Sequence, residues 1–372
     1  MKKSLIWPLF CFCCLNVCSQ GKDLAFGKQY TISSSILNED RIVAVFTPPD
    51  YDLTNEKYQV IYVLDAEWNF HFVSSLVDKL SGSGDIPKMI VVGIYNTNRT
   101  KDLTPSGTND NPRFGGAEPF LQFMKEELRP WVNETFRTYP YHLLAGHSFG
   151  GLFTVYSMME SPGLFHSYIA LSPSLGRNDE QQIRHARAFF KEKNSFPDRL
   201  YLAVGNEGGA TYHSTKKLVD LLEQDDVKFS YHFDHLKEES HSSITTQGFA
   251  EGLKFIYQDF NPDRISGLDE LFLVEAHFEA LSDRFGYELK VPETFYHKFI
   301  KEQIGERELE YALYLLKRFG EDYPQSPYLL AYYGDVYLLQ GNFEEARNYY
   351  EQIGELGLEQ DHHKQLLDQL SH

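Results

Sequence analysis

Gly146-His147-Ser148-Phe149-Gly150-Gly151 is the segment whose residue types and spacing most directly suggest chemistry. It has the form G-x-S-x-G with an extra glycine. It follows a short apolar run, Leu143-Leu144-Ala145, and precedes an amphipathic helix expected to begin at Leu152. A strand, a sharp turn and a helix in that order form a nucleophile elbow, which holds a serine hydroxyl at the tip of a strained bend. Gly146 and Gly150, two before and two after the serine, let strand and helix approach closely. The start of the helix adds partial positive charge and a free N–H at Phe149. The pentapeptide alone is common; the strand before it and the helix after it give it weight.

A serine hydroxyl needs a base at neutral pH. With a nucleophile elbow the expected chain order is serine, acid, histidine. His166, His185, His213, His232, His235 and His241 follow Ser148. His166 comes too early, on the way into the next strand. His185 lies in a polar helical stretch, and His232 and His235 alternate along a strand. His241 stands in a loop, Lys237-Glu238-Glu239-Ser240-His241-Ser242, after the last strand and before a helix over 244–257. It is the candidate base. The acid is expected just after the preceding strand, where Gly205-Asn206-Glu207-Gly208-Gly209 contains a single carboxylate, Glu207. Asp225 and Asp226 are rivals, but they read as a turn. A second oxyanion donor besides the Phe149 amide is expected from the loop Asp65-Ala66-Glu67-Trp68, with the Glu67 main chain as candidate.

These residues need a scaffold. Residues 58–64 (YQVIYVL) and 88–94 (KMIVVGI) are almost uniformly apolar, as strands buried on both faces are. Runs over 29–35, 41–47, 142–145, 168–171, 200–204 and 228–233 continue the series, with helical stretches such as 118–132 and 152–159 between them. The alternation implies an α/β fold, a mostly parallel sheet covered on both faces. Its site should lie at the carboxyl ends of the strands. The segment 96–105 follows a buried strand and should line that cleft. Trp68, Arg99 and Asp102 are the candidate substrate contacts. Arg99 could clamp an anionic or polyhydroxylated group in bidentate fashion, or pair with Asp102 and merely stiffen the loop. Trp68, Phe70 and Tyr95 could wall the cleft, although such residues serve cores more often than ligand platforms.

YQVIYVLDAEWNF, NTNRTKDLTP, LLAGHSFGGL, ALSPSL and EESHSSI, in this order, resemble the esterase D-like esterase family. That family includes siderophore esterases of the enterobactin type, feruloyl and acetyl-xylan esterases, formylglutathione hydrolases and mycolyltransferase antigens. The likeness spans roughly residues 23–260. It implies an α/β-hydrolase fold, acyl-ester chemistry and no cofactor. It carries the nucleophile onto Ser148, the base onto His241, the oxyanion donors onto Phe149 and Glu67, and the acid onto Glu207, where many relatives have aspartate.

From about residue 264 the composition turns to helix formers, giving a small all-α C-terminal domain over 264–372 after an α/β-hydrolase domain over 21–263. Gly334, Tyr337, Gly341, Ala346 and Tyr350 fall at tetratricopeptide spacing. A step back by about 34 residues brings Ala312 and Pro324 into phase, with Ile300 where the glycine would stand. Fewer than three such repeats rarely stand alone, so the tail should pack on the core or mediate self-association or a protein contact.

Lys2 and Lys3 followed by an apolar stretch over 5–17 read as an export signal over residues 1–20. Leu15-Asn16-Val17-Cys18 also resembles a lipobox, which would place a lipid on Cys18. All four cysteines, Cys11, Cys13, Cys14 and Cys18, sit in this leader. Disulfides and thiolate chemistry are therefore not expected after its removal. Hydrophobic residues at 42% support a packed globular chain, and a net charge of −18 disfavours nucleic acid as a partner. The sequons at Asn98 and Asn133 and the pair His362-His363 carry no further signal; no metal site is expected. The expected activity is serine ester hydrolysis, outside the cytoplasm, on a carbohydrate-linked or siderophore-type ester. An acyltransferase with the same three residues, or a non-catalytic scaffold presenting its helical tail, are the alternatives.

Overall fold

The computed structural model describes residues 26–105, 113–193, 195–224, 227–268, 270–324 and 326–355. The leader with its cysteines, Asp225, Asp226 and the pair His362-His363 lie outside the described residues. Among the described residues no helix is long and apolar enough to cross a membrane.

The strands are β1 (Lys28–Ser34), β2 (Glu39–Phe46), β3 (Tyr58–Leu64), β4 (Met89–Ile94), β5 (Thr138–His147), β6 (Ser167–Leu171), β7 (Ser195–Gly205) and β8 (Lys228–Leu236). They form one sheet in the order β1-β2-β4-β3-β5-β6-β7-β8. β2 is antiparallel to β1 and to β4, and the remaining pairs are parallel. β3 and β4 are buried along their whole length, as their unbroken apolar runs require.

The helices interleave with the strands. α1 (Ala66–Gly82) follows β3, α2 (Arg99–Asp102) follows β4, and α3 (Ala117–Phe123) and α4 (Arg129–Thr135) precede β5. α5 (Phe149–Glu160), α6 (Arg177–Glu192), α7 (Gly209–Leu222) and α8 (Ile244–Ile256) follow β5, β6, β7 and β8 respectively. Alternate residues of β3 serve the two faces. Ile61 and Val63 pack with α1 and α8, whereas Val60, Tyr62 and Leu64 pack with α3, α5, α6 and α7. The single helix expected over 118–132 is interrupted by a π turn at Met124–Leu128. Pro130 stands just beyond it, at the start of α4, and contributes no N–H to the helical ladder. The helix after the glycine motif starts at Phe149, three residues earlier than expected, and takes both glycines into its first turn.

α9 (Leu271–Phe285), α10 (Glu293–Glu306), α11 (Leu309–Asp322), α12 (Pro327–Leu339) and α13 (Phe343–Glu355) make up the tail. α9, α10 and α11 do not form a separate core: Val274, Phe278, Phe285, Tyr296 and Leu316 belong to the cluster that includes Ile61, Val63 and Phe249. Phe285 meets the Tyr141 ring edge-on at 4.7 Å, and Tyr287 stacks on Tyr139 at 3.6 Å. Gln59, buried on β3, donates to the Tyr287 hydroxyl at 2.6 Å. α12 and α13 form the outermost hairpin. There Gly334 lies against Tyr350, where an added Cβ would stand 2.4 Å from a ring carbon.

Within the sheet, His142 of β5 is fully buried, and among the described residues neither ring nitrogen has a hydrogen-bond partner. Burial, then the nearby Arg129 charge and His166, push its pKa down to about 3. The unfolded chain takes up this proton near pH 6.5. The folded chain therefore has its full stability above that pH and loses it as the pH falls from about 6.5 toward 3. His166, also lowered mainly by burial, adds in the same direction. Melting followed by circular dichroism should show a flat midpoint above pH 7 and a decline below pH 6.5. His142→Leu should lessen that decline, and an equally steep decline in the variant would refute this account.

Candidate active site

The site sits at the carboxyl ends of β3, β5, β6, β7 and β8. Ser148 has φ 59° and ψ −112°, the strained bend expected of an elbow. The fold tolerates this because the surrounding backbone is fixed. The Ser148 N–H donates to the Leu171 carbonyl at 2.9 Å, and the Ser148 carbonyl accepts from Leu152 and Ser174. A Cβ on Gly146 would lie 2.5 Å from the Gly150 backbone, and one on Gly151 would lie 2.8 Å from the Leu171 carbonyl oxygen. These two positions admit glycine alone.

Ser148 Oγ lies 3.0 Å from His241 Nε2, and His241 Nδ1 lies 2.5 Å from Glu207 Oε2. The other Glu207 oxygen accepts from the Gly205 N–H at 3.2 Å and from the Ser172 hydroxyl. Burial opposes ionisation of Glu207, but the donors His241, Ser172 and Gly205 outweigh it and hold its pKa below the usual carboxylate value. The His241 pKa is raised, chiefly by the hydrogen bond to Glu207 and against the effect of burial. The loop carrying His241 is pinned to the end of β7: the Asn206 N–H donates to the Glu239 carbonyl at 2.6 Å, and a Cβ on Gly205 would stand 2.5 Å from that oxygen.

The structure thus brings together Ser148, Glu207 and His241, contributed by three separate strand ends. Phe149 is the first residue of α5 and Glu67 the second of α1, positions whose amides have no intrahelical partner. The parallel pairing of β3 with β5 sets these two helix starts side by side. The Glu67 carboxylate is turned away to cap Asn96, accepting from its N–H at 2.8 Å and from its side-chain amide at 3.0 Å.

Three expectations need correction. Arg99 does not pair with Asp102. It forms a bidentate bridge to Asp65, at 2.7 and 2.9 Å, and reaches the His147 carbonyl at 3.4 Å. Asp102 is not a substrate contact: it is 5% exposed and ion-paired at 2.7 Å with Arg41, which is fully buried. Phe70 is core rather than cleft wall, packed against Gly93 on β4, and Tyr95 packs partly buried against the same core. Trp68, by contrast, is 68% exposed, and the Arg99 guanidinium lies 5.7 Å from its ring centroid.

Several residues around the site escaped the sequence reading. Asp65 takes a left-handed conformation at the end of β3, and its buried carboxylate holds both Arg99 and Asn96. His147, the variable residue of the motif, places Nε2 2.5 Å from the His241 carbonyl. Burial first, then the His241 charge, lower its pKa to about 4, so the neutral ring donates this bond. Arg177 stands at the rim between the rings of Phe149 and Phe114, at 4.9 and 4.7 Å. The hydroxyls of Ser172 and Ser174 lie within reach of Glu207 and Ser148. The segment ALSPSL was the available signal for these two serines; the other contacts depend on partners remote in sequence.

A mostly parallel sheet with a serine elbow after its central strand and a histidine loop after its last strand defines a protein of the α/β-hydrolase type. The chain belongs to the family described as Putative esterase, a family of carboxylic-ester hydrolases, which matches residues 34–250. It is 30% identical over 195 residues to the ferri-bacillibactin esterase BesA of Bacillus subtilis, covering 45% of this chain and 66% of that protein. It is 32% identical over 127 residues to the siderophore triacetylfusarinine C esterase of Aspergillus fumigatus, covering 34% of this chain and 44% of that protein. The match thus spans at most about two thirds of these two relatives. Among solved structures, an IroE-like serine hydrolase from Shewanella oneidensis superposes with a TM-score of 0.66 and 28% identity, covering 79% of this chain and 99% of the other.

Proposed function

We propose that this chain is an exported serine carboxylic-ester hydrolase that acts through an acyl-enzyme on siderophore-type esters. The observation that carries the chemistry is the continuous relay from Glu207 through His241 to Ser148, at 2.5 and 3.0 Å. In the proposed reaction His241 takes the Ser148 proton as Oγ attacks the ester carbonyl. Glu207 fixes the tautomer with Nδ1–H toward itself and stabilises the imidazolium. The amides of Phe149 and Glu67 receive the carbonyl oxygen as it gains charge. His241 then protonates the departing alkoxide, and water repeats the sequence to free Ser148. The siderophore esterases BesA and the triacetylfusarinine C esterase, among the relatives, support the substrate class. The leader over residues 1–20 supports export, with Cys18 as its candidate lipid site. Tetratricopeptide-like spacing supports a contact role for the outer helical hairpin.

Charge at the rim narrows the substrate further. Arg99 is neutralised by Asp65, whereas no carboxylate pairs with the exposed Arg177 among the described residues. A lone guanidinium on two phenyl faces suits a substrate bearing an anionic or electron-rich planar group. The test compares hydrolysis of p-nitrophenyl acetate with that of the mono-p-nitrophenyl ester of succinic acid, and includes ferri-bacillibactin. Arg177→Gln should lower kcat/KM for the anionic ester about tenfold and leave the acetate within twofold. Equal effects on both esters would remove the charge argument. Failure of the wild type on every ester would remove the activity itself.

A further inference from the structure

Ser172-Pro173-Ser174 follows β6, the strand lying between the one that leads into Ser148 and the one that precedes Glu207. Ser172 is fully buried at φ 41°, with its N–H on the Ala203 carbonyl at 2.7 Å and its hydroxyl on Glu207. Pro173 packs against the elbow helix, where a Cβ on Gly151 would stand 3.1 Å from its Cα. Ser174 is tied to the nucleophile by its backbone, its N–H donating to the Ser148 carbonyl at 3.2 Å. Its Oγ lies 3.4 Å from Ser148 Oγ. One short segment therefore touches both ends of the relay.

The direction of the hydroxyl contact follows from proton count. With Nδ1–H of His241 on Glu207, Nε2 is an acceptor, so the single Ser148 proton points to it. Only lone pairs of Ser148 Oγ face Ser174, whose own proton is free to point back. As His241 removes the Ser148 proton, negative charge gathers on Oγ, and an O–H donor to such an oxygen shortens to about 2.5–2.7 Å. The backbone tether holds the donor beside Oγ, so a small approach of the Ser174 side chain completes the bond when the charge appears.

We infer that Ser174 is a further catalytic residue, whose hydroxyl donates to Ser148 Oγ while that oxygen carries charge. During attack the proton passes from Ser148 to His241, the Oγ–carbon bond forms, and the charge moves on to the carbonyl oxygen. During deacylation water gives a proton to His241 as its oxygen bonds the acyl carbon, the acyl–Oγ bond then breaks to release the acid, and Ser174 stabilises the departing Oγ until His241 returns the proton. The Ser174 proton is never transferred. The inference rests on Ser148 being the nucleophile.

The test measures kcat and KM on p-nitrophenyl acetate, the pH profile, and the second-order rate of inactivation by a fluorophosphonate, for Ser174→Ala and Ser174→Thr. A hydrogen bond to a charged oxygen predicts a loss of about ten- to hundredfold in kcat and in the inactivation rate for Ser174→Ala. KM should stay within twofold, and the acid limb set by His241 should not move. Ser174→Thr, which keeps the hydroxyl, should recover most of the loss. Should Ser174→Ala melt early, Ser174→Cys takes its place, because a thiol fills the volume and donates only weakly. Rates within twofold of wild type, a displaced acid limb, or no recovery with threonine would each overturn the inference. Activity surviving in Ser148→Ala would instead overturn the reading on which it rests.

Discussion

Ser148→Ala is expected to reduce kcat by at least about 10⁴-fold while leaving the fold intact. The alanine keeps the same backbone and the same N–H on the Leu171 carbonyl, so the melting temperature should stay within a few degrees. What disappears is the hydroxyl that stands 3.0 Å from His241 Nε2. A fluorophosphonate should label the wild type at Ser148 and leave the variant unlabelled. If the variant hydrolyses p-nitrophenyl acetate within tenfold of wild type, covalent catalysis at Ser148 is wrong, and the chain returns to the scaffold alternative. The size of the effect follows from the relay being a unit: without the nucleophile, Glu207 and His241 have nothing to activate but solvent.

The second large effect concerns stability. Asp102→Ala should lower the unfolding free energy by about 3–5 kcal/mol, because it strips the main partner from a guanidinium that cannot reach water. Arg41 is fully buried, its guanidinium lies over Phe120 and Phe123 at 5.0 and 5.9 Å, and its Nε has no hydrogen-bond partner among the described residues. Glu39 at 2.7 Å and the Tyr95 carbonyl at 3.3 Å remain, but Glu39 is partly exposed. The double replacement Arg41→Met with Asp102→Leu removes both charges and should recover most of the loss. Urea unfolding reads both outcomes. A loss below about 1 kcal/mol in Asp102→Ala would mean that the pair carries little of the fold. The effect should reach the site as well, since Asp102 closes the short helix that begins at Arg99.

The parts of this molecule legible in its sequence are those governed by local rules. Uniform apolar runs place β3 and β4 at the centre, because a strand covered on both faces has no polar side to show. The elbow is legible because Gly146 and Gly150 flank the serine, and a Cβ on Gly146 would run into the Gly150 backbone at 2.5 Å; the tighter demand at Gly151, set by the Leu171 carbonyl, was not legible. Glu207 and His241 are legible because each stands just past a strand end in a short polar loop. The ion pairs are not legible. Arg99 finds Asp65 34 residues upstream, and Asp102 finds Arg41 61 residues upstream. Sequence proximity had suggested that Arg99 and Asp102 bind each other. They are three residues apart, yet the first turns toward the elbow and the second into the core. Helix formers likewise mark the tail as helical, but not that Phe285 of α9 meets Tyr141 and Tyr257.

That last contact bears on how the chain is made. Synthesis runs from the amino end, so the sheet and its first eight helices emerge before any residue of the tail. The layer formed by Phe249, Tyr257 and the lower half of β3 is then still open to water, because Phe278, Phe285 and Leu316 have not yet been joined to the chain. A nascent chain arrested near residue 263 would display this greasy surface to its neighbours and to chaperones. Helices α9, α10 and α11 thus serve as the lid of the esterase core, and a chain ending near residue 263 is expected to be less soluble than one that runs on through them.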